Sequence, residues 1–316
     1  MKLKTLLTLL LLIIIADVVY AKFTDGKPPW VSELREPDAV LTPFSNPEDY
    51  FDVEDESEGP GWRYFYRNAP NKKVIIYNHP WSGVWKEYPR HAKSHDFEII
   101  ADWFSDQNVN FYAALRKDND TKSLNFSGIK KDKIYGLTVE PLEVFHHLTK
   151  LVKKKHGNDA IICYSGHSAG GPSALFTSAY LNQESQRHVS ISPENSMGSN
   201  IHQLYRDWSF LDEHYKKSKN LTIIIGANEL KTPKEGAHDN HIWHMNNHPD
   251  SDKRARSKIY YKKRLKHTKM FYAALKKIEN ENIKVFKTRE DFDHQQMSEH
   301  YWVEQWGKYI VQACGF

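Results

Sequence analysis

Residues 159–171 read Asp-Ala-Ile-Ile-Cys-Tyr-Ser-Gly-His-Ser-Ala-Gly-Gly, and no other stretch narrows the possible folds as much. The apolar run Ala160 to Tyr164 predicts a buried strand. A helix-compatible run begins at Ala169 and continues to about Tyr180. Between them lies Gly166-His167-Ser168-Ala169-Gly170, the pattern G-x-S-x-G. A serine on a sharp strand-to-helix turn stands clear of the backbone. Such a turn leaves room only for glycine or very small residues beside it. The following helix aims free N–H groups and a partial positive charge at the space beside the serine. Glycine and serine are common, so the flanking strand and helix give the pattern its weight.

The 316 residues suffice for one large α/β domain or two small ones. With 40% hydrophobic and 13% aromatic residues the chain can build a large core, which excludes a disordered protein. A net charge of +4 gives no electrostatic case for nucleic acid. Met1 to Ala21 stand apart. Lys2 and Lys4 precede an apolar run, Leu6 to Ile15, and Val19-Tyr20-Ala21 offers a cleavage site near Ala21. The run is too short for a comfortable membrane span. We read residues 1–21 as a signal peptide and expect a secreted or periplasmic protein, an uncleaved anchor being the lesser reading. Cys163 and Cys314 are the two cysteines, and one disulfide is open to them. Cys163 lies in the central strand, where a free buried thiol is the expectation.

Residues 22–60 hold six prolines and an acidic run, Glu48 to Glu58, and sustain neither helical nor alternating periodicity. They read as an extended arm, leaving 61–316 as the folded domain. Trp62 to Tyr66 alternates as an edge strand would, and Val74 to Tyr77 reads as a short buried strand. Further strands are expected at Val109–Leu115, His188–Ser192, Leu221–Ile225 and Ile283–Phe286. Helices are expected at Phe97–Phe104, Glu140–Lys155, Leu204–Tyr215, Arg256–Ile278 and about Ser298–Val311. Apolar strands alternating with helices imply a mostly parallel sheet covered on both faces. The ligand crevice of such a sheet lies beyond the strand carboxyl ends. Residues His79-Pro80-Trp81, Ser168, Glu229 and His294 all fall there.

Serine is a poor nucleophile at neutral pH. It needs a base within hydrogen-bond reach, and the base needs a carboxylate to fix its tautomer. The elbow architecture requires the order serine, acid, histidine. Ser168 is followed by Glu229, after Leu221–Ile225, and by His294, after the last strand. Asp239 and Asp250 lie in the loop beyond Glu229 and remain alternatives for the acid.

The chain resembles the α/β-hydrolases of esterase type over about residues 62–312. The marks are Gly166-His167-Ser168-Ala169-Gly170-Gly171, Gly226-Ala227-Asn228-Glu229 and Asp293-His294. Ile191-Ser192-Pro193 with Gly-x-x-Glu is similar to the esterase D-like group. Tyr77-Asn78-His79 with Gly-x-Asn-Glu is similar to dienelactone-hydrolase-like enzymes, and both branches stay open. The resemblance implies an α/β-hydrolase fold with Ser168 as nucleophile, His294 as base and Glu229 as acid. It also implies Ala169 N–H as one oxyanion donor and a second from the loop after Val74–Tyr77. Family members usually carry His-Gly there. This chain has His79-Pro80-Trp81, and because proline lacks an N–H the candidate donor is Trp81.

The expected activity is cleavage of a carboxylic ester, small or polymer-linked, through an acyl-enzyme. A peptidase or acyltransferase on the same residues is an alternative, as is a binding protein that kept the fold. No cofactor, nucleic acid or stable membrane span is expected. His238, His241, His244 and His248 crowd one loop, but no thiolate and no helical period accompany them. We read a polar loop rather than a metal site. The basic run Lys253 to Lys266 reads as a solvated helix face.

Overall fold

The computed structural model describes residues 39–43, 62–78, 94–116, 136–180, 186–193, 216–231, 249–294, 296–297 and 300–316. Among the described residues eight strands form one sheet in the order β1-β2-β4-β3-β5-β6-β7-β8. They are β1 (Ala39–Pro43), β2 (Trp62–Arg67), β3 (Lys73–Asn78), β4 (Asn110–Arg116), β5 (Ile161–His167), β6 (Arg187–Ile191), β7 (Leu221–Ile225) and β8 (Ile283–Lys287). Only the β2–β4 pairing is antiparallel. Five helices are described: α1 (Ser94–Asp106), α2 (Gly136–His156), α3 (Gly171–Tyr180), α4 (Ser251–Ile278) and α5 (Val303–Cys314).

The side-chain alternation of the strands sends consecutive residues to opposite faces. One face carries Ile75, Tyr77, Phe111, Cys163, Val189, Ile191 and Ile224, packed against Phe104 of α1 and Trp306 and Ile310 of α5. On the other, Val74, Ile76, Ile162 and Tyr164 meet Phe145, Leu148 and Val152 of α2. Further along that face Leu221, Ile223, Ile225 and Val285 meet Leu175 of α3 and Phe271 and Leu275 of α4. Because both faces are buried, the central strands carry apolar runs such as Val74–Tyr77 and Ile223–Ile225, which is what made them visible in the sequence. The antiparallel β2 and the parallel crossovers from β3 onward, with the serine turn after β5, make this the α/β-hydrolase fold that the resemblance implied.

Three expectations change. Trp62–Tyr66 is not an edge: β2 pairs with β4 on one side and with β1 on the other. Among the described residues the edge strand is Ala39–Pro43, inside the segment read as an extended arm. The five-residue strand is too short, and too close to its proline, to register against an arm rich in proline. Its pairing with Trp62–Tyr66 is what forms it. The third change concerns Cys163, which is not a free thiol. It is bonded to Cys314 at the end of α5, with the Cα atoms 5.7 Å apart. The bond fastens β5, just below the serine, to the last helix. The predicted helix Leu204–Tyr215 lies outside the described residues. Among the described residues no helix is long and apolar enough to cross a membrane.

Candidate active site

β5 ends at His167, and Ser168 opens a single turn of 3-10 helix, Ser168–Gly170, which runs directly into α3. Ser168 takes φ 54°, a left-handed conformation that few non-glycine residues adopt, and only 4% of it is exposed. Gly166 permits this turn. A Cβ there would sit 2.1 Å from the Gly170 carbonyl oxygen, so no larger residue fits.

β7 ends at Ile225 and gives way to another short 3-10 turn, Ala227–Leu230. This turn carries Glu229. The segment after β8 carries His294. Three chain segments distant in sequence thus meet at the carboxyl edge of the sheet. His294 Nε2 lies 2.7 Å from Ser168 Oγ, and His294 Nδ1 lies 2.9 Å from Glu229 Oε2. A carboxylate only accepts, so Nδ1 carries the hydrogen and Nε2 is left to accept from the serine hydroxyl. The His294 side chain is 15% exposed and that of Glu229 7%. Little water competes for either bond, and a shielded pair interacts more strongly than an exposed one.

Glu229 is held from behind. Its Oε1 accepts the Ser192 hydroxyl and the Gly226 N–H, the latter at 2.9 Å. Gly226 has to be glycine because a Cβ would come within 2.5 Å of the Phe292 carbonyl oxygen. Of the three carboxylates open to the role, Glu229 is the one at His294. Asp250 is exposed and accepts the Asp252 N–H at 2.8 Å at the start of α4, which is helix capping. Asp239 lies outside the described residues, as do Trp81, His238, His241, His244 and His248. Ala169 follows Ser168 in the 3-10 turn, which puts its amide at the elbow. Among the described residues no three histidine, cysteine, aspartate or glutamate side chains could share a metal ion.

Two supporting residues went unassigned in the sequence. Ser192, after β6, bonds Glu229 from a left-handed conformation of its own, φ 39°. His167, on the other side of the site, bonds the backbone of His294 at 2.7 Å. Nothing in residue type or spacing announces such contacts, because they join segments far apart in the chain.

No family model matches the chain, and no curated protein matches it. Among solved structures it resembles the esterase Pf2001 of Pyrococcus furiosus, at 12% identity and a TM-score of 0.46 over 89% of this chain and 98% of that one. An IroE-like serine hydrolase from Shewanella oneidensis aligns at 13% identity and TM-score 0.46, over 79% and 75%. The siderophore hydrolase EstA of Aspergillus nidulans aligns at 14% identity and TM-score 0.44, over 78% and 83%. Overlaps this loose are not the ground for the fold assignment, which the strand order and the serine elbow supply.

Proposed function

We propose that the chain is an exported serine hydrolase that cleaves a carboxylic ester through an acyl-enzyme. The observation that carries this reading is the continuous relay from Ser168 Oγ to His294 to Glu229, with both bonds at hydrogen-bond length. In this reading Ser168 Oγ attacks the ester carbonyl carbon as its proton passes to His294 Nε2. Glu229 holds the imidazole in orientation and stabilises the imidazolium that forms. The oxyanion of the tetrahedral intermediate sits against the Ala169 N–H, with the Trp81 N–H as second donor. Collapse expels the alcohol, which takes the proton from His294. A water molecule, deprotonated by His294, then attacks the acyl carbon; the acyl–Oγ bond breaks, His294 returns the proton to Ser168 Oγ, and the carboxylic acid leaves.

Export is supported by the charged and apolar character of residues 1–21 and by the Cys163–Cys314 bond, since disulfides persist in oxidising compartments. Turnover of a short p-nitrophenyl ester tests the chemistry. Ser168→Ala should lower it by about 10⁴-fold or more with an unchanged melting temperature. Turnover retained in that variant would overturn the reading.

A further inference from the structure

We propose that His167, the side chain between Gly166 and the nucleophile, is the positioning residue for His294. This rests on the serine-hydrolase reading above. His167 is buried at the end of β5. Its Nε2 lies 2.7 Å from the carbonyl oxygen of His294. A carbonyl only accepts, so Nε2 carries the hydrogen and donates. The two imidazole rings also pack on one another, with centroids 4.8 Å apart at an angle of 44°.

The contact joins the peptide of His294 itself to the nucleophile's strand, and other bonds hold the residues beside it. The Asn228 N–H holds the Phe292 carbonyl at 2.9 Å, and the Asn228 amide group donates to the Asp291 carbonyl. Both grips come from the turn that carries Glu229, and both act before the base in sequence. Asp293 and Gln296 exchange bonds at 3.0 Å within the loop itself. The His167 bond reaches the base's own peptide from the nucleophile's strand. His167 and Ser168 are consecutive on one rigid turn. The residue that offers the hydroxyl and the residue that anchors the base therefore move together, which holds the 2.7 Å Ser168–His294 separation. Reaction rates depend steeply on such a separation: a misplacement of about 1 Å costs on the order of 100-fold.

Three variants test the role against a Ser168→Ala control on the p-nitrophenyl ester. The amide nitrogen of His167→Gln extends as far as imidazole Nε2 and can reach the His294 carbonyl. The shorter side chain of His167→Asn cannot reach it, and His167→Leu has no donor. Expected for Asn and Leu is a fall in kcat of about 10- to 100-fold with KM nearly unchanged, and for Gln a kcat within about threefold of wild type. A merely structural role would lower the melting temperature of all three variants without separating Gln from Asn in kcat. Equal kcat in the Gln and Asn variants, or a loss confined to KM, overturns the proposal. Should the Leu variant fail to fold, the Gln–Asn contrast decides alone. If Ser168→Ala keeps its turnover, the hydrolase reading falls and this proposal with it. If Ser168→Ala is inactive while His167→Asn keeps full kcat, the proposal alone falls.

Discussion

His294 and His188 lie on the same sheet and do opposite things with one kind of side chain. His294 sits at the carboxyl edge with both ring nitrogens bonded, one to a carboxylate and one to a hydroxyl. His188 sits inside β6, fully buried and stacked on Tyr164 with ring centroids 5.2 Å apart. The Thr177 hydroxyl donates to the Ala174 carbonyl, so it accepts from His188 Nδ1–H at 3.1 Å. His188 Nε2 finds no partner among the described residues. Burial, helped by the neighbouring Arg187 charge, pushes the His188 pKa down to about 3. Without a carboxylate, burial makes imidazole a neutral packing element. In the proposed mechanism the same ring, placed beside Glu229 at the carboxyl edge of the sheet, takes up a proton and returns it. On that reading the environment, not the residue type, assigns the base.

Glu229→Gln breaks the comparison most sharply, because it takes the carboxylate from His294 and leaves it closer to the condition of His188. The amide can offer N–H to Nδ1 and favour the wrong tautomer, so kcat should fall by about 10³- to 10⁴-fold with KM little changed. Steady-state kinetics against wild type provide the check.

A second test concerns the strand below the elbow. Replacing Cys163 and Cys314 by Ala together removes the bond that ties β5 to α5 across 151 residues of sequence. The expected loss of stability is about 2–5 kcal/mol. Urea denaturation would register it as a lower midpoint, whereas the Ser168–His294 contact, made beyond the end of β5 and held by its own turn and by Glu229, should keep kcat near wild type in the folded protein.

His188 provides the smallest effect and a sign. Its folded pKa lies below the unfolded value of 6.5, so the unfolded chain binds a proton that the folded chain refuses. The stability from this residue is complete above about pH 6.5 and is lost as pH falls toward 3, by on the order of 1 kcal/mol per unit. In His188→Asn the amide can still donate to Thr177, and the slope of unfolding free energy between pH 6 and 4 should flatten by about that amount. An unchanged slope would mean that His188 is protonated in the folded state.

Much of this fold was legible. Ala160–Tyr164 and Leu221–Ile225 are mostly buried on both faces, so they appear as largely apolar runs bounded by turns. The order Ser168, Glu229, His294 was legible too, because each residue follows a strand that announces itself. The resemblance pointed to Glu229 as the acid but left Asp239 and Asp250 open, since all three carboxylates trail the same strand, and the contact between Glu229 and His294 has no counterpart in residue spacing. The Cys163–Cys314 bond was equally hidden, as a separation of 151 residues carries no pairing signal. Ala39–Pro43 escaped because its strand character comes from its partner. His167 and Ser192 escaped because they act on a backbone carbonyl and on another side chain's far oxygen.

The most direct measurement of the central claim is covalent labelling by a fluorophosphonate, followed by mass analysis of the peptide that spans residues 159–171. The account predicts a single adduct on Ser168, formed rapidly in wild type, far more slowly in Glu229→Gln and not at all in Ser168→Ala. An unlabelled Ser168 in the folded wild-type protein, or an adduct on another residue, would contradict it.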